Sequence, residues 1–140
     1  DQSEWRDLIT FPYGESGNLV DFSADGTFCW MTSSLGRETN ALLKVDLQTG
    51  ETIEEIFAKD NCDCGGVTLD DDTKELRAVS CNYARLERQL FDKELEEDYR
   101  ILTSLAPEGA EVLPSSKTRD QKLWIVNYRR SDGPAEYVLY

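Results

Sequence analysis

The chain has 140 residues, 39% of them hydrophobic, and its 28 acidic and 15 basic side chains give a formal net charge of −13. The length and composition allow one domain with a hydrophobic core, and the negative charge excludes nucleic acid and anionic membrane surfaces as expected partners, because it repels phosphate groups. No apolar run is long enough to span a membrane, no signal peptide is recognisable, and the four cysteines are too few for a disulfide scaffold. We therefore expect a cytoplasmic protein.

A strand pattern recurs along the chain about every 47 residues, a spacing typical of β-propeller blades. A short strand, a turn and a stronger strand occur at 20–32, 67–80 and 112–127. A polar loop and a further strand follow at 41–47, 85–91 and 135–140. The turn dipeptides Asp25-Gly26 and Thr49-Gly50 are typical of hairpins, so consecutive strands are predicted to pair antiparallel.

Two more segments have the character of outer strands. Segment 52–57 alternates apolar and acidic residues, which predicts a fourth strand of the first blade. Segment 1–11, with its apolar part at 5–11, is predicted to be the outer strand of a preceding blade. The fold class is therefore predicted as all-β, with about three antiparallel four-stranded blades of a β-propeller. The blades are predicted at 17–58, 65–105 and 110–140, the last of them incomplete.

One helix is predicted at about 92–105, inserted between the second and the third blade. Asp92 is a favourable N-cap residue, and Leu95, Tyr99 and Leu102 follow at helical spacing. Pro107 ends the pattern. The acidic side chains of this helix are interpreted as a solvated face, with binding of a partner as the alternative.

The catalytic groups of a hydrolase are missing from the sequence. There is no histidine and no G-x-S-x-G motif, and the nearest glycine-flanked serine, Ser16, has the wrong spacing for a nucleophile elbow. Paired carboxylates could perform acid–base catalysis, but negative charge alone does not place two of them around a bond. We therefore predict that this chain is not an enzyme and has neither catalytic residues nor a cofactor.

Two short patterns are candidate metal sites. Cys62 and Cys64 form a C-x-C pair that lacks the second pair or histidine of a zinc site, so a surface loop is the favoured interpretation and a redox pair a further alternative. The acidic run 70–72 offers oxygen ligands for calcium, but its place between two strands favours a hairpin turn. No metal is predicted.

Large apolar side chains near the two ends of the chain are candidate interface residues. They are Trp5, Leu8, Trp124, Tyr137 and Tyr140. Trp124 has the opposite strand parity to the inner-strand core positions, which favours an exposed or blade-interface aromatic side chain. Because three blades leave open edges, we also expect self-association, with strand 5–9 of one copy completing the third blade of another.

Several segments resemble the N-terminal β-propeller of the prolyl oligopeptidase family of serine peptidases, in particular its acylaminoacyl-peptidase-like branch. These segments are 22–26 (FSADG), 36–51, 65–73, 78–87 and 123–126, with Gly133-Pro134 after them. The resemblance implies a non-catalytic propeller that gates access to an α/β-hydrolase domain, which would be the partner of this segment within a longer peptidase. The alternative is a free-standing protein-interaction module that kept the blades and lost the enzyme.

Overall fold

The computed structural model describes residues 5–140, which form three antiparallel sheets and one helix. The predicted all-β class is confirmed. The chain divides into two compact units, one ending at Asp92 and the other beginning at Lys93. Within residues 5–140, no helix is both long and apolar enough to cross a membrane.

The first sheet is a four-stranded meander in the order β1-β2-β3-β4. Its strands are β1 (Gly17–Phe22), β2 (Phe28–Ser33), β3 (Ala41–Asp46) and β4 (Thr52–Phe57). Strand β2 is buried on both faces, because Trp30 belongs to one core cluster while Cys29 and Met31 belong to another. The predicted four-stranded first blade therefore corresponds to an observed four-stranded sheet.

The N-terminal segment is not a strand. Residues 5–11 have no regular secondary structure, and residues 1–4 lie outside the described residues, so the predicted outer strand over 1–11 is wrong where it can be examined. Leu8, Ile9 and Phe11 instead pack against the cluster on one face of the first sheet. The Arg6 guanidinium donates a hydrogen bond to the Leu47 carbonyl. The segment is thus held by side chains and not by a strand ladder.

The second sheet has three strands in the order β5-β6-β7, so the predicted four-stranded second blade is wrong. Its strands are β5 (Cys64–Leu69), β6 (Leu76–Asn82) and β7 (Leu86–Leu90). After β7, the Phe91 amide bonds the Arg77 carbonyl, and the Asp92 carboxylate accepts a 2.5 Å bond from the buried Arg77 guanidinium. The helix then begins at Lys93, which leaves no segment for a fourth strand.

The predicted helix is confirmed, since it follows the last strand of the second sheet and precedes the first strand of the third, and it belongs to the second unit. Helix α1 (Lys93–Leu105) is followed by β8 (Glu111–Lys117), β9 (Trp124–Arg129) and β10 (Glu136–Leu139), which form a sheet in the order β10-β9-β8. The Tyr128 hydroxyl donates to the Leu102 carbonyl at 3.0 Å, and the Tyr140 hydroxyl donates to Asp98 at 2.9 Å. These bonds attach the helix to one face of the sheet.

Two hairpin turns share the sequence pattern D-x-x-T-x-E and the same geometry. The carboxylate of Asp46 accepts hydrogen bonds from the Gln48 and Thr49 amides, and that of Asp70 accepts them from the Asp72 and Thr73 amides. The fifth residue of each turn has a left-handed backbone, with φ of 74° at Gly50 and 59° at Lys74. The acidic run 70–72 therefore lies in a hairpin turn, as its sequence favours.

Gly50 is required both by its backbone angle and by the N-terminal segment. A Cβ atom at this position would collide with the Leu8 carbonyl, whereas one at Gly26, whose φ is 70°, would meet nothing within 4 Å. Gly26→Ala is expected to cost about 1 kcal/mol through the left-handed backbone alone. Gly50→Ala should cost at least about 1 kcal/mol more because the segment has to move. Urea unfolding of both variants measures the difference, and equal losses would contradict the packing of Leu8.

Candidate functional site

An open cleft of about 630 Å³ lies in the first unit, between the first sheet and the hairpin turn of the second. Its lining includes the β1–β2 turn at Ser23 and Asp25, the strand residues Phe28 and Trp30, and Lys74 from the opposite turn. Within the part of the chain that the structure describes, this cleft brings aromatic and charged side chains together. We take it as the candidate site.

The floor of the cleft combines two aromatic rings with a cation. Phe28 and Trp30 follow each other on one face of β2 and meet edge to face, with centroids 5.4 Å apart. Lys44 lies opposite Trp30 on β3, and its Nζ atom is 5.2 Å from the centroid of each ring. Glu54 on β4 lies 3.5 Å from the same ammonium. A cation over two rings can contribute about 0.5–1 kcal/mol at such a partly exposed position.

Trp30 connects the first sheet to the second. Its indole N–H donates a 3.0 Å hydrogen bond to the carbonyl of Lys74, in the β5–β6 turn. The Lys74 ammonium in turn pairs with Asp21 on β1 at 3.0 Å. Its hydrogen bond with Asp21 raises the pKa of Lys74, and the same bond lowers the pKa of Asp21. Both groups are therefore charged at neutral pH, and the turn is held at two points.

In the cleft, the β1–β2 turn places the Ser23 hydroxyl next to the Asp25 carboxylate, and both groups are engaged in holding that turn. The Ser23 hydroxyl donates to Asp25 at 2.7 Å, and its oxygen accepts the amides of Thr27 and Phe28, both at 3.1 Å. The hydrogen bond from Ser23 lowers the pKa of Asp25, so this carboxylate is a poor base at neutral pH. The arrangement therefore suits binding better than bond cleavage.

The two candidate metal ligands, Cys62 and Cys64, are buried. Each is 6% exposed and packs in the core cluster that also contains Cys81, so the interpretation as a surface loop is wrong. The reason is that Cys64 opens strand β5 and lies directly opposite Cys81 on β6. Burial raises the pKa of both Cys64 and Cys81 to about 11, which disfavours the thiolate form that metals bind. Among residues 5–140, no group of three or more cysteines and carboxylates is arranged to hold a metal ion.

The structure does not bring the five interface candidates together. Trp5 is fully exposed, and Leu8 is partly buried against the first sheet. Trp124 is only 5% exposed, which contradicts the exposed position that was one of its two predicted alternatives. Its ring packs edge to face on Tyr140, and its indole donates to the Gln121 carbonyl. Tyr137 remains 67% exposed.

A second candidate surface is the outer face of the third sheet, formed by Leu113, Ile125, Tyr137 and Leu139. Leu139 lies opposite Ile125, and Tyr137 and Leu113 both lie opposite Asn127, so strand alternation places all four on one face. Ile125 is 45% exposed and Leu139 is 72% exposed. The other face carries Trp124, Val126 and Tyr128, which are buried on the side of the helix.

Sequence reasoning missed Lys44 and Lys74, the two cations of the cleft. An isolated lysine in a strand has no sequence pattern that marks it as a site residue, so the sequence could not identify Lys44 as part of the cleft. Lys74 had one detectable signal, because it occupies the position in D-x-x-T-x-E that glycine fills in the first copy of this pattern. A side chain larger than glycine at a left-handed position marks a constrained turn.

Comparison with known proteins relates the chain to peptidases. The chain is 32% identical over 140 residues to Dipeptidyl aminopeptidase BIII of Pseudoxanthomonas mexicana, a match that covers all of this chain and 19% of that protein. It is 21% identical over 142 residues to Dipeptidyl peptidase family member 6 of Caenorhabditis elegans, again with 19% of that protein covered. The chain thus spans about a fifth of the length of the curated relatives it matches. No protein-family model and no solved structure matches it.

Removing the indole N–H should weaken the connection between the two sheets. Trp30→Phe leaves the Lys74 carbonyl without its donor and shrinks a buried ring, so we expect a loss of about 2–4 kcal/mol in the free energy of unfolding. Trp5→Phe makes the same substitution at a fully exposed position. It should change the free energy of unfolding by less than about 0.5 kcal/mol. Urea titration of both variants provides the measurement. Equal effects would show that the Trp30 contact is unimportant.

The turn that carries Lys74 should be sensitive to acid. Hydrogen bonds from the Thr73 and Asp72 amides lower the pKa of Asp70, so its contribution to stability is complete above the ordinary pKa. That contribution is lost as pH falls through the lowered value in the folded protein. Asp70→Asn should therefore be less stable than wild type at about pH 6, and the difference should shrink below about pH 4.

Unfolding free energies across this pH range test the expectation, with Asp71→Asn as the control for removing one charge from the same turn. A difference between wild type and Asp70→Asn that stays constant with pH would contradict it.

Proposed function

We propose that this chain is a non-catalytic β-propeller segment of a longer, prolyl-oligopeptidase-like serine peptidase, where it gates access to a hydrolase domain. The observation that carries the proposal is the match of its whole length to 19% of a dipeptidyl aminopeptidase. When the catalytic groups of a peptidase lie in another part of its chain, a segment of this size can support the fold or limit substrate access to the active site.

The amino-acid composition supports a non-catalytic role for this chain. The Ser-His-Asp triad requires a histidine beside the nucleophile, and this sequence contains none. The hydroxyl and carboxylate in the cleft are held in a turn, and the aromatic floor is a binding surface. Under this proposal the cleft contacts peptide chains or neighbouring sheets, while the triad is supplied by the rest of the peptidase.

The third sheet supports a propeller arrangement. Its outer face, as defined above, presents apolar side chains that are 45–72% exposed at Ile125, Tyr137 and Leu139. Such a face is stable when another sheet packs on it. Because the relatives are about five times longer than this chain, we propose that a further sheet of the longer protein covers this face.

The names of the relatives favour dipeptide release as the reaction of the longer protein. We propose that it removes dipeptides from free N-termini, with acylated N-termini as the alternative that the acylaminoacyl-peptidase-like resemblance suggests. Chromogenic substrates of both kinds, assayed with the longer protein, distinguish the two. The location in the cytoplasm remains part of this proposal.

The direct test is to assay the 140-residue chain beside the longer protein. We expect no hydrolysis of dipeptidyl or acyl-dipeptide chromogenic substrates by the chain, and turnover that a serine-reactive inhibitor blocks in the longer protein. Inhibitor-sensitive turnover by the chain itself would overturn the proposal. A longer protein that lacks G-x-S-x-G and activity would support the free-standing interaction module instead.

The outer face of the third sheet should also drive self-association of the isolated chain, where a second copy takes the place of the covering sheet. Light scattering at micromolar concentration should give a mass above that of the monomer, and Leu139→Lys should reduce it to the monomer. Tyr83→Lys, at a position 68% exposed in the first unit, is the matched control and should leave the mass unchanged. A monomeric wild-type chain would contradict the self-association.

A further inference from the structure

The outer face of the third sheet has an asparagine at its centre. Asn127 lies on β9, the central strand, with Tyr137 opposite it on β10 and Leu113 opposite it on β8. Ile125 lies on the same face, two residues earlier on β9. Asparagine is disfavoured in strands, and here it interrupts a row of apolar side chains. A polar residue that breaks the local pattern in this way indicates a constraint other than the folding of the sheet itself.

The side chain of Asn127 has an unsatisfied acceptor. Its Oδ1 atom is shielded from solvent and has no hydrogen-bond partner among residues 5–140. Such an oxygen destabilises a fold, because it has lost its bonds to water and gained none in return. Farther along the same face, the Arg129 guanidinium donates to the Glu111 carboxylate at 2.7 Å, so that pair is satisfied. The Asn127 oxygen therefore marks a point at which this face lacks a donor.

We propose that the Asn127 oxygen accepts a hydrogen bond from the sheet that covers this face in the longer protein. The existence of that covering sheet rests on the proposed function. Packed sheets lie about 10 Å apart, and their backbone N–H groups point along the sheet, so the donor has to be a side chain. A serine or threonine hydroxyl lies too close to its own backbone to reach across. The partner is therefore an apolar sheet face with one long donor side chain opposite Asn127.

The first unit has a contact of the same kind between two of its own sheets. Trp30 lies on β2, an interior strand as β9 is, and its indole N–H donates to the Lys74 carbonyl of the second sheet at 3.0 Å. The same ring belongs to the apolar cluster between those sheets. A lysine or arginine donor would have to be desolvated beside apolar neighbours, which is costly. The donor opposite Asn127 is therefore a tryptophan or tyrosine, whose ring is apolar and whose tip is polar.

Access to the oxygen depends on Tyr137, the neighbour of Asn127 on β10. Its side chain is 67% exposed, so the ring can rotate aside without leaving a packed core. Ile125 and Leu139 on the same face are 45% and 72% exposed. They supply the apolar surface on which the covering sheet packs, around the hydrogen bond at its centre.

The test removes the oxygen both in the longer protein and in the 140-residue chain. Asn127→Leu keeps the branched shape of the side chain but has no acceptor. In the longer protein it leaves the donor of the covering sheet unsatisfied, so the amides of 124–129 should exchange with deuterium about tenfold faster. In the 140-residue chain, kept monomeric by Leu139→Lys, it removes an unsatisfied oxygen, so the same amides should exchange no faster than before. Mass spectrometry of the exchanged peptides measures both.

A matched pair of variants separates hydrogen bonding from shape. Asn127→Thr and Asn127→Val are equal in size, and threonine alone keeps an oxygen that accepts a bond. In the longer protein we expect slower exchange with threonine than with valine, as a partial rescue because the threonine oxygen lies nearer the backbone. Asn18→Leu makes the leucine substitution at an exposed position of β1 and should leave exchange at 124–129 unchanged. Equal exchange with threonine and valine would overturn the proposal.

Failure of the hydrogen bond and failure of the proposed function give different results. If residues 124–129 are protected in the longer protein and Asn127→Leu leaves them so, the covering sheet exists but the hydrogen bond does not. If unsubstituted residues 124–129 exchange equally fast in the longer protein and in the monomeric chain, no sheet covers the face, and both proposals are overturned.

Discussion

The hydrogen bond from the Trp30 indole to the Lys74 carbonyl is the contact on which the first unit depends, because it joins two sheets that share no strand ladder. The carbonyl that accepts it belongs to a residue with a left-handed backbone, a conformation that costs about 1–2 kcal/mol in residues other than glycine. Asp70 holds the turn from within, and Asp21 holds the lysine from the first sheet. Beneath these polar contacts lies the cluster that contains Leu42, Phe57 and Val79.

The strands and the helix were predictable because local chemistry determines them. Alternation of apolar side chains and the turns after Asp25 and Thr49 indicated the antiparallel hairpins, and the spacing of Leu95 and Leu102 indicated the helix. What failed were predictions that depend on partners distant in sequence. Residues 5–11 look like a strand but have no neighbour to pair with, so they cover a sheet face instead. The second sheet lacks a fourth strand because the chain enters the helix at Lys93.

The sites were harder to predict than the strands. Parity favoured an exposed or blade-interface position for Trp124, but in the third sheet it is the other parity, at Ile125 and Tyr137, that is exposed. Strand alternation sorts the residues onto the two faces of a sheet, but it does not tell which of these faces the helix covers. The C-x-C pair was assigned to a surface loop because it lacks the second pair or the histidine of a zinc site. Its burial follows from the position of Cys64 opposite Cys81, which sequence spacing alone does not reveal.

The cleft and the thiol cluster lie at opposite ends of one hairpin, β5–β6. The turn at 70–75 presents Lys74 to the cleft, while Cys64 and Cys81 pair at the other end of the same two strands. The hairpin is therefore fixed at both ends, by an indole and an ion pair at the turn and by buried sulfur atoms at the base.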